Sequence, residues 1–320
     1  RIKKPPTSMD TIEQKLEARL GRIHTRQRLG IEAAHGHRVL GQGLNFFHPE
    51  NWYSTHALIR FAIQLVGMYE RGQRNARNLQ VKKNSIHLPH LPDEFHDFRI
   101  LHLTDLHVDM DDRNLNALIQ TVANLHYDIC VLTGDYRAQT HGEIDSAVAG
   151  MQQLVTMLKQ PIYGVLGNHD SIRMLPALES MGIIMLMNEV TILEKDDAQI
   201  FLAGVDDPHY FRVDNLEKAA RDIPEQAVSL LLSHTPEIYR QAAHADFDVM
   251  FCGHTHGGQI CLPGGIPLTL DSNCPRYLGA GKWRYHQMQG YTSVGAGTSI
   301  VNARFNCLPE VTIHHLLKAQ

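Results

Sequence analysis

Gly253-His254-Thr255-His256-Gly257-Gly258 follows directly on the apolar run Val249 to Cys252. Histidines and glycines set at the end of a short β-rich run are the pattern of a loop leaving the carboxyl end of a strand. Four other clusters repeat it: Asp105-Leu106-His107 after Arg99 to Thr104, Gly134-Asp135 after Asp128 to Thr133, Gly167-Asn168-His169-Asp170 after Ile162 to Leu166, and Ser233-His234-Thr235-Pro236 at the end of Ser229 to Ser233. Gln199 to Val205, Tyr291 to Val294 and Glu310 to His314 also read as strands. Helices are expected at Arg113 to Leu125, Glu143 to Leu158, Arg173 to Met181, Asn215 to Arg221 and Pro236 to Ala243. This alternation predicts an α/β core. Ligands in such sheets bind outside the carboxyl ends of the strands, so the clusters are expected to converge although they lie up to about 150 residues apart.

The chemistry of the converging set is informative. Two Asp, one Asn and four His offer hard oxygen and imidazole donors without a thiolate, a set suited to Zn, Mn, Fe or Co. Seven donors exceed what one tetrahedral ion needs. Two ions sharing a carboxylate, roughly 3.5–4 Å apart, would use them all, and that arrangement serves in-line displacement at phosphorus.

The chain has 320 residues, with 30 Lys/Arg against 34 Asp/Glu and a formal charge of −4. At 43% hydrophobic and 20% charged residues it is neither disordered, collagen-like nor an integral membrane bundle. The five cysteines are odd in number, widely spaced and without a CxxC pair, which argues against a disulfide framework or a cysteine zinc ribbon and for a reducing compartment. The longest apolar stretch, Ala57 to Tyr69, is interrupted by Arg60 and Gln64 and falls short of the roughly 20 residues a spanning helix requires. The expected location is the cytoplasm, with membrane association left open; because the sequence opens at Arg1, a removed leader is left open as well.

Charge is unevenly spread. Residues 1–95 hold 15 Lys/Arg against 8 Asp/Glu, whereas residues 96–320 hold 15 against 26. The asymmetry places a boundary near Pro92, between a basic helical extension or cap (1–95) and a catalytic domain (96–320). One helix is expected over Met9 to Leu29, then a Gly-rich break from Gly36 to Gly43, and a second helix over Ser54 to Leu79. Leu58, Phe61, Ala62, Leu65, Val66 and Tyr69 form one face of the second helix, which ends in Arg71, Arg74 and Arg77, with Phe46, Phe47, Trp52 and Tyr53 before it. Two readings of residues 46–79 follow: a cap packed on the main domain, or a surface that meets anionic lipid.

The series DxH, GD, GNHD, H and GHTH, with about thirty residues between each of the first three, resembles the calcineurin-like metallophosphoesterases over Phe98 to Leu317. The tail GHTHGGQI, LPGG, GYTSVGAGTS, Arg304-Phe305 and PEVTI is similar to a bacterial subfamily acting on phosphodiesters or pyrophosphates, including lipid-linked ones such as UDP-2,3-diacylglucosamine. The resemblance implies a sandwich of two mixed β-sheets flanked by helices, here with an N-terminal helical extension. It implies that Asp105, His107 and His256 bind one divalent ion, that Asn168, His234 and His254 bind a second, and that Asp135 bridges them. It further implies that His169 protonates the leaving oxygen or stabilises the phosphoryl charge, with Asp170 orienting its imidazole. A water shared by the two ions is the expected nucleophile.

The remaining histidines carry no such expectation. His102 lies within a strand run, His314 and His315 end one, and His24, His35 and His37 sit in the basic segment. His209, in the loop after Val205, is expected to line the substrate pocket or to belong to a plain turn. The leading reading is a two-metal phosphohydrolase acting on a phosphodiester or pyrophosphate. The alternatives are a nucleotide or nucleic-acid phosphodiesterase, a phosphomonoesterase or protein phosphatase, and a scaffold with a vestigial site. Nucleic acid is a poor fit: the catalytic half is acidic and only two Trp occur.

Overall fold

The computed structural model describes residues 8–35 and 53–319, with side chains described for 12–34 and 59–319. Among these residues two six-stranded mixed sheets face one another. The first comprises β1 (Gln80–Leu88), β2 (Phe98–Leu103), β3 (Ile129–Leu132), β4 (Ile162–Gly164) and β5 (Ile183–Met185), with β14 (Glu310–Lys318) inserted to give the order β1-β14-β2-β3-β4-β5. The second runs β12-β13-β9-β8-β7-β6, from β6 (Glu189–Lys195), β7 (Ala198–Gly204), β8 (Ser229–Leu232), β9 (Val249–Cys252), β12 (Gly281–Tyr285) and β13 (Met288–Thr292). A short ribbon, β10 (Cys261–Leu262) and β11 (Ile266–Pro267), stands apart from both.

Within each sheet the central strands are parallel and buried along their whole length, as in Ile129–Leu132 and Val249–Cys252, which is why they read as unbroken apolar runs. Ile100, Val131, Val165, Leu202, Leu230, Val249 and Phe251 join in the apolar layer between the sheets. On the outer face of the first sheet, α5 (Asp112–Val122), α6 (Asp145–Val155) and α7 (Leu175–Ser180) bury Leu115, Leu118, Met151, Leu154 and Leu178. On that of the second, α8 (Leu216–Ala220) and α9 (Tyr239–His244) bury Ala219, Tyr239 and Ala242.

The amino-terminal segment differs from expectation in two respects. Its helices are split by glycines in the left-handed region: α1 (Ser8–Leu20) and α2 (Arg22–His35) part at Gly21, φ +84°, and α3 (Tyr53–Leu65) and α4 (Tyr69–Ala76) part after Gly67, φ +70°. The expected boundary between residues 95 and 96 also moves, because residues 80–88 pair in parallel with β14 and form the edge strand of the first sheet. α1 is integral to the core, burying Leu16 and Leu20 in the same cluster as α5–α7. Phe46, Phe47, Trp52, His37 and the Gly36 to Gly43 break lie outside the described residues, as do the side chains of His35, Tyr53 and Leu58.

Candidate metal centre

All five clusters sit at the carboxyl ends of strands, those after β2, β3 and β4 in one sheet and those after β8 and β9 in the other, so the site occupies the rim where the two sheets meet. Asp105, His107 and His256 form one group whose donor atoms lie within 4.8 Å of each other, and Asp135, His234 and His254 form a second. Asn168 joins the second group, its Oδ1 2.8 Å from His234 Nε2, which is 3.3 Å from Asp135 Oδ2. His256 Nε2 lies 3.5 Å from Asp105 Oδ1. All seven side chains are buried.

The backbone is strained to bring them together. Asp105 (φ 50°), His107 (41°), Asp135 (57°), His254 (72°) and His256 (50°) occupy the left-handed region, each at a cost of order 1–3 kcal/mol. Hydrogen bonds hold the conformation: Asp105 N to Gly134 O at 3.0 Å, Leu106 N to Asp135 O at 2.8 Å, and His254 N to the Asp105 carboxylate at 2.9 Å. Two glycines leave the room this needs. A Cβ on Gly253 would run into Thr104 and the Asp105 carboxylate, and one on Gly167 into the carboxylate of Asp135.

The donor set fits two divalent cations. His107 Nδ1 donates to Arg137 O at 2.8 Å and His234 Nδ1 to Thr133 O at 2.7 Å; with Nδ1 so engaged, Nε2 is the nitrogen each imidazole turns inward. Nε2 of His107 and Nε2 of His256 come within 3.2 Å, and His254 Nε2 is buried without a hydrogen-bond partner among the described residues. Such inward-facing nitrogens are what a cation would satisfy.

Electrostatics points the same way. Burial, then the neighbouring His209 and His234, pushes His254 well below the ordinary histidine value. Burial, then His107 and Arg304, does the same to His256. Both are held neutral, the form that offers a lone pair. Burial also lowers His234, but Asp135 and Asp105 outweigh it and bring the group up to about 10. The two buried carboxylates therefore hold positive charge at this spot, whether a proton or a metal ion supplies it.

His169 Nε2 lies 3.9 Å from Asp135 Oδ2, with its ring edge-on to His107 at 5.3 Å between centroids. Asp170 does not play the part expected of it. Its carboxylate accepts from the backbone N–H groups of Asp135, Tyr136 and Gly167, each at 2.8 Å, and so clamps the turn that presents Asp135; His169 Nδ1 meets Thr140 Oγ1 instead, at 3.3 Å. Sequence reading also missed Arg304 as a site residue. Its guanidinium is fully buried, donates to Gly297 O and Val294 O at 2.7 Å, and lies 3.2 Å from His256 Nδ1. These roles rest on contacts with backbone carbonyls and N–H groups, which every residue carries, so a sequence has no signal for them.

A cavity of about 350 Å³ opens over the centre. Asp135, Asn168, His169, His254 and His256 line it, together with the apolar Ile59, Ile260, Leu268, Ile300 and Val301. His209 is not among the lining residues: it stands behind His254, ring centroids 4.2 Å apart, with Nδ1 2.9 Å from Glu237 Oε1. His102 and His314 lie in the core, 3.3 Å apart, and His102 Nε2 meets Thr133 Oγ1 at 2.8 Å. No helix among the described residues is long and apolar enough to cross a membrane.

Comparison with known proteins agrees with this geometry. The metallophosphoesterase YkoQ of Bacillus subtilis is 29% identical over 77% of this chain and 93% of its own length. Phosphodiesterase YaeI of Escherichia coli is 28% identical over 69% of this chain and 82% of its own. A bovine transmembrane protein with a metallophosphoesterase domain is 28% identical over 63% of this chain and 49% of its own. Residues 98–258, half of the chain and the stretch from β2 to the GHTHGG loop, match the family model for calcineurin-like phosphoesterases. The chain belongs to that family of metal-dependent phosphoester hydrolases.

Proposed function

We propose that this enzyme cleaves a phosphodiester or pyrophosphate bond in a substrate that carries an apolar, lipid-like group. The observation that carries this reading is the mixed lining of one cavity, in which candidate ligands and His169 share the wall with Ile59, Ile260, Leu268, Ile300 and Val301. A phosphate held at the candidate ligands would leave an apolar substituent the aliphatic side chains of the same cavity. The similarity to YaeI, a phosphodiesterase, supports the diester.

Asp105, His107 and His256 would hold one divalent ion, Asn168, His234 and His254 the other, with Asp135 between them. When bound, such ions neutralise phosphate oxygens and lower the pKa of water from about 16 to about 7. His169, held from behind by Thr140, faces the space beside Asp135 and would deliver the proton to the leaving oxygen.

The mouth of the cavity suits a membrane surface. Ile59 and Ile63 of α3 pack on Val301, Ala303 and Phe305, while Phe61, Leu65 and Val66 remain exposed. Leu262, Ile266 and Leu268, on and beside the β10–β11 ribbon, are exposed as well, and Arg60, Arg71 and Arg74 lie in the open on and after α3. An apolar patch fringed by cations is the composition of an interfacial surface for anionic lipid.

The test is kcat/KM for a series of alkyl phosphodiesters of one leaving group and increasing chain length, below their micellar concentrations. Each buried methylene is worth about 0.8 kcal/mol, so a few added methylenes should raise kcat/KM by about tenfold or more until the cavity is full. Indifference to chain length, or a preference for nucleotide diesters, would sink the lipid-like assignment.

A further inference from the structure

The loop after β4 carries Asn168 and His169, and the loop after β7 carries His209, which backs His254. The two loops leave different sheets, and α2 lies across both. Glu32 accepts from Ser171 Oγ and Ile172 N, both at 2.8 Å, in the first loop. His24 Nε2 meets Asp206 Oδ2 at 2.8 Å in the second. Between them Arg28, fully buried, donates to Asp170 O at 2.8 Å, lies 3.8 Å from Asp206 Oδ1, and stacks its guanidinium 3.3 Å from the ring centroid of Phe211.

A helix that served only to cover the core would bury aliphatic side chains here. This one buries a guanidinium whose Nε and one terminal nitrogen find no hydrogen-bond partner among the described residues. Its charge is balanced by Glu32 Oε1 at 3.4 Å and Asp206 Oδ1 at 3.8 Å, but burying an ion pair is costly, and apolar residues of similar volume are often neutral or stabilising in its place. What the guanidinium does and an apolar residue does not is hold two separate polar loops at once: a carbonyl in the first, a carboxylate and an aromatic face in the second.

We propose that α2 is a strap that sets the position of the His169 loop relative to the His254 side of the centre, with Arg28 as its positioning residue. The amino-terminal helices would then belong to the working parts of the site. Arg28 touches neither the candidate ligands nor the cavity; it acts through the Asp170 carbonyl, next in sequence to His169, and through the loop that holds His209 against His254.

The inference rests on the reading of His169 as the group that serves the leaving oxygen, and the experiment separates the two. Arg28→Ala, Arg28→Lys, His169→Asn and the double variant Arg28→Ala/His169→Asn are compared on aryl phosphodiesters with nitrophenol and phenol leaving groups, with metal content measured for each. A displacement of about 1 Å costs on the order of 100-fold, so Arg28→Ala should lose up to that factor in kcat with KM and metal content little changed. The loss should be larger for the phenol ester, partly restored in Arg28→Lys, and absent in the His169→Asn background. If His169→Asn alone shows no leaving-group dependence, the reading of His169 fails; the strap is then judged on kcat alone. Independent, multiplicative losses in the double variant, or a lower melting temperature with unchanged kcat, would overturn the strap. Should Arg28→Ala not fold, Glu32→Gln loosens the same loop from a half-buried position and is subject to the same criteria.

Discussion

In the proposed reaction His169 acts on substrate: it lines the cavity, its Nδ1 is engaged by Thr140, and it stands 3.9 Å from Asp135. General acid catalysis contributes about 10²–10⁴-fold, so His169→Asn should lower turnover on that scale while metal content stays unchanged. Metal analysis beside the kinetics decides the assignment, since loss of an ion with the side chain would make His169 a ligand. A second prediction concerns a histidine outside the site. Burial pushes His102 down to about 3, and burial together with His102 lowers His314 too. A histidine whose folded value lies below its unfolded value of about 6.5 takes up its proton more readily in the unfolded chain. Its stability contribution is therefore present above pH 6.5 and lost as the pH falls from there toward 3. Each unit of separation is worth about 1.4 kcal/mol, so the protein should weaken measurably between pH 7 and pH 5. His102→Leu, which cannot take up a proton, should flatten that slope in denaturant titrations; an unchanged slope would show that other groups govern the acid limb.

The elements that the sequence announces are those whose burial is uniform. β3, β4, β8 and β9 are buried along their whole length and β2 at all but Arg99, so they read as largely apolar runs, and each is followed by a polar cluster, so strand and site were legible together. β1 was not legible, since the exposed Val81, Lys82 and Lys83 break the alternation that its second half keeps at Asn84, Ile86 and Leu88, and the lysines gave it the look of a basic linker. Nor was β12, short and antiparallel at the opposite edge. Asp170 was assigned by adjacency to His169, whereas the fold spends its carboxylate on the turn that carries Asp135. The periodicity of α3 did show an apolar face, but periodicity does not say which apolar residues meet the core. Ile59 and Ile63 do, whereas Leu65 is 75% exposed. That difference decides the outcome of Leu65→Glu. A core residue replaced by a charge would unfold the protein, but at this site the melting temperature should change little. Co-sedimentation with anionic vesicles at low salt should fall instead, since the substitution removes apolar area and adds repulsion. A large drop in melting temperature would mean that the residue is covered after all, and would remove the surface argument for a lipid partner.

At the scale of the whole molecule, the candidate ligands tie two sheets together. Asp105, His107, Asp135 and Asn168 belong to the first sheet, and His234, His254 and His256 to the second. Ions bound between them favour the native state over the unfolded one, by about 2.7 kcal/mol at a metal concentration one hundred times the dissociation constant. Chelation should therefore lower the melting temperature by several degrees and re-addition of divalent metal should restore it. Asp135→Asn turns this into a sharper test, because the carboxylate faces positive charge in both states, the ions when metal is bound and His234 when it is not. With metal present, its loss removes charge from both groups of donors, so occupancy and turnover should collapse and the melting temperature fall. Without metal, Asp105 is raised by burial and then, after the opposing pull of His234, by the like charge of Asp135. Removing that neighbour relieves this repulsion, but burial's upward push on Asp135 is outweighed by His234 and His169, which hold it well below the ordinary carboxylate value, and its loss takes from His234 the charge that raises it; the metal-free variant should therefore melt below the metal-free parent, with little response to chelator. Melting curves of both proteins with and without chelator, matched to measured metal content, check all four corners. A variant that keeps two ions and the parent's chelator response would show that Asp135 holds neither site, and the bridging role would have to pass to Asp105.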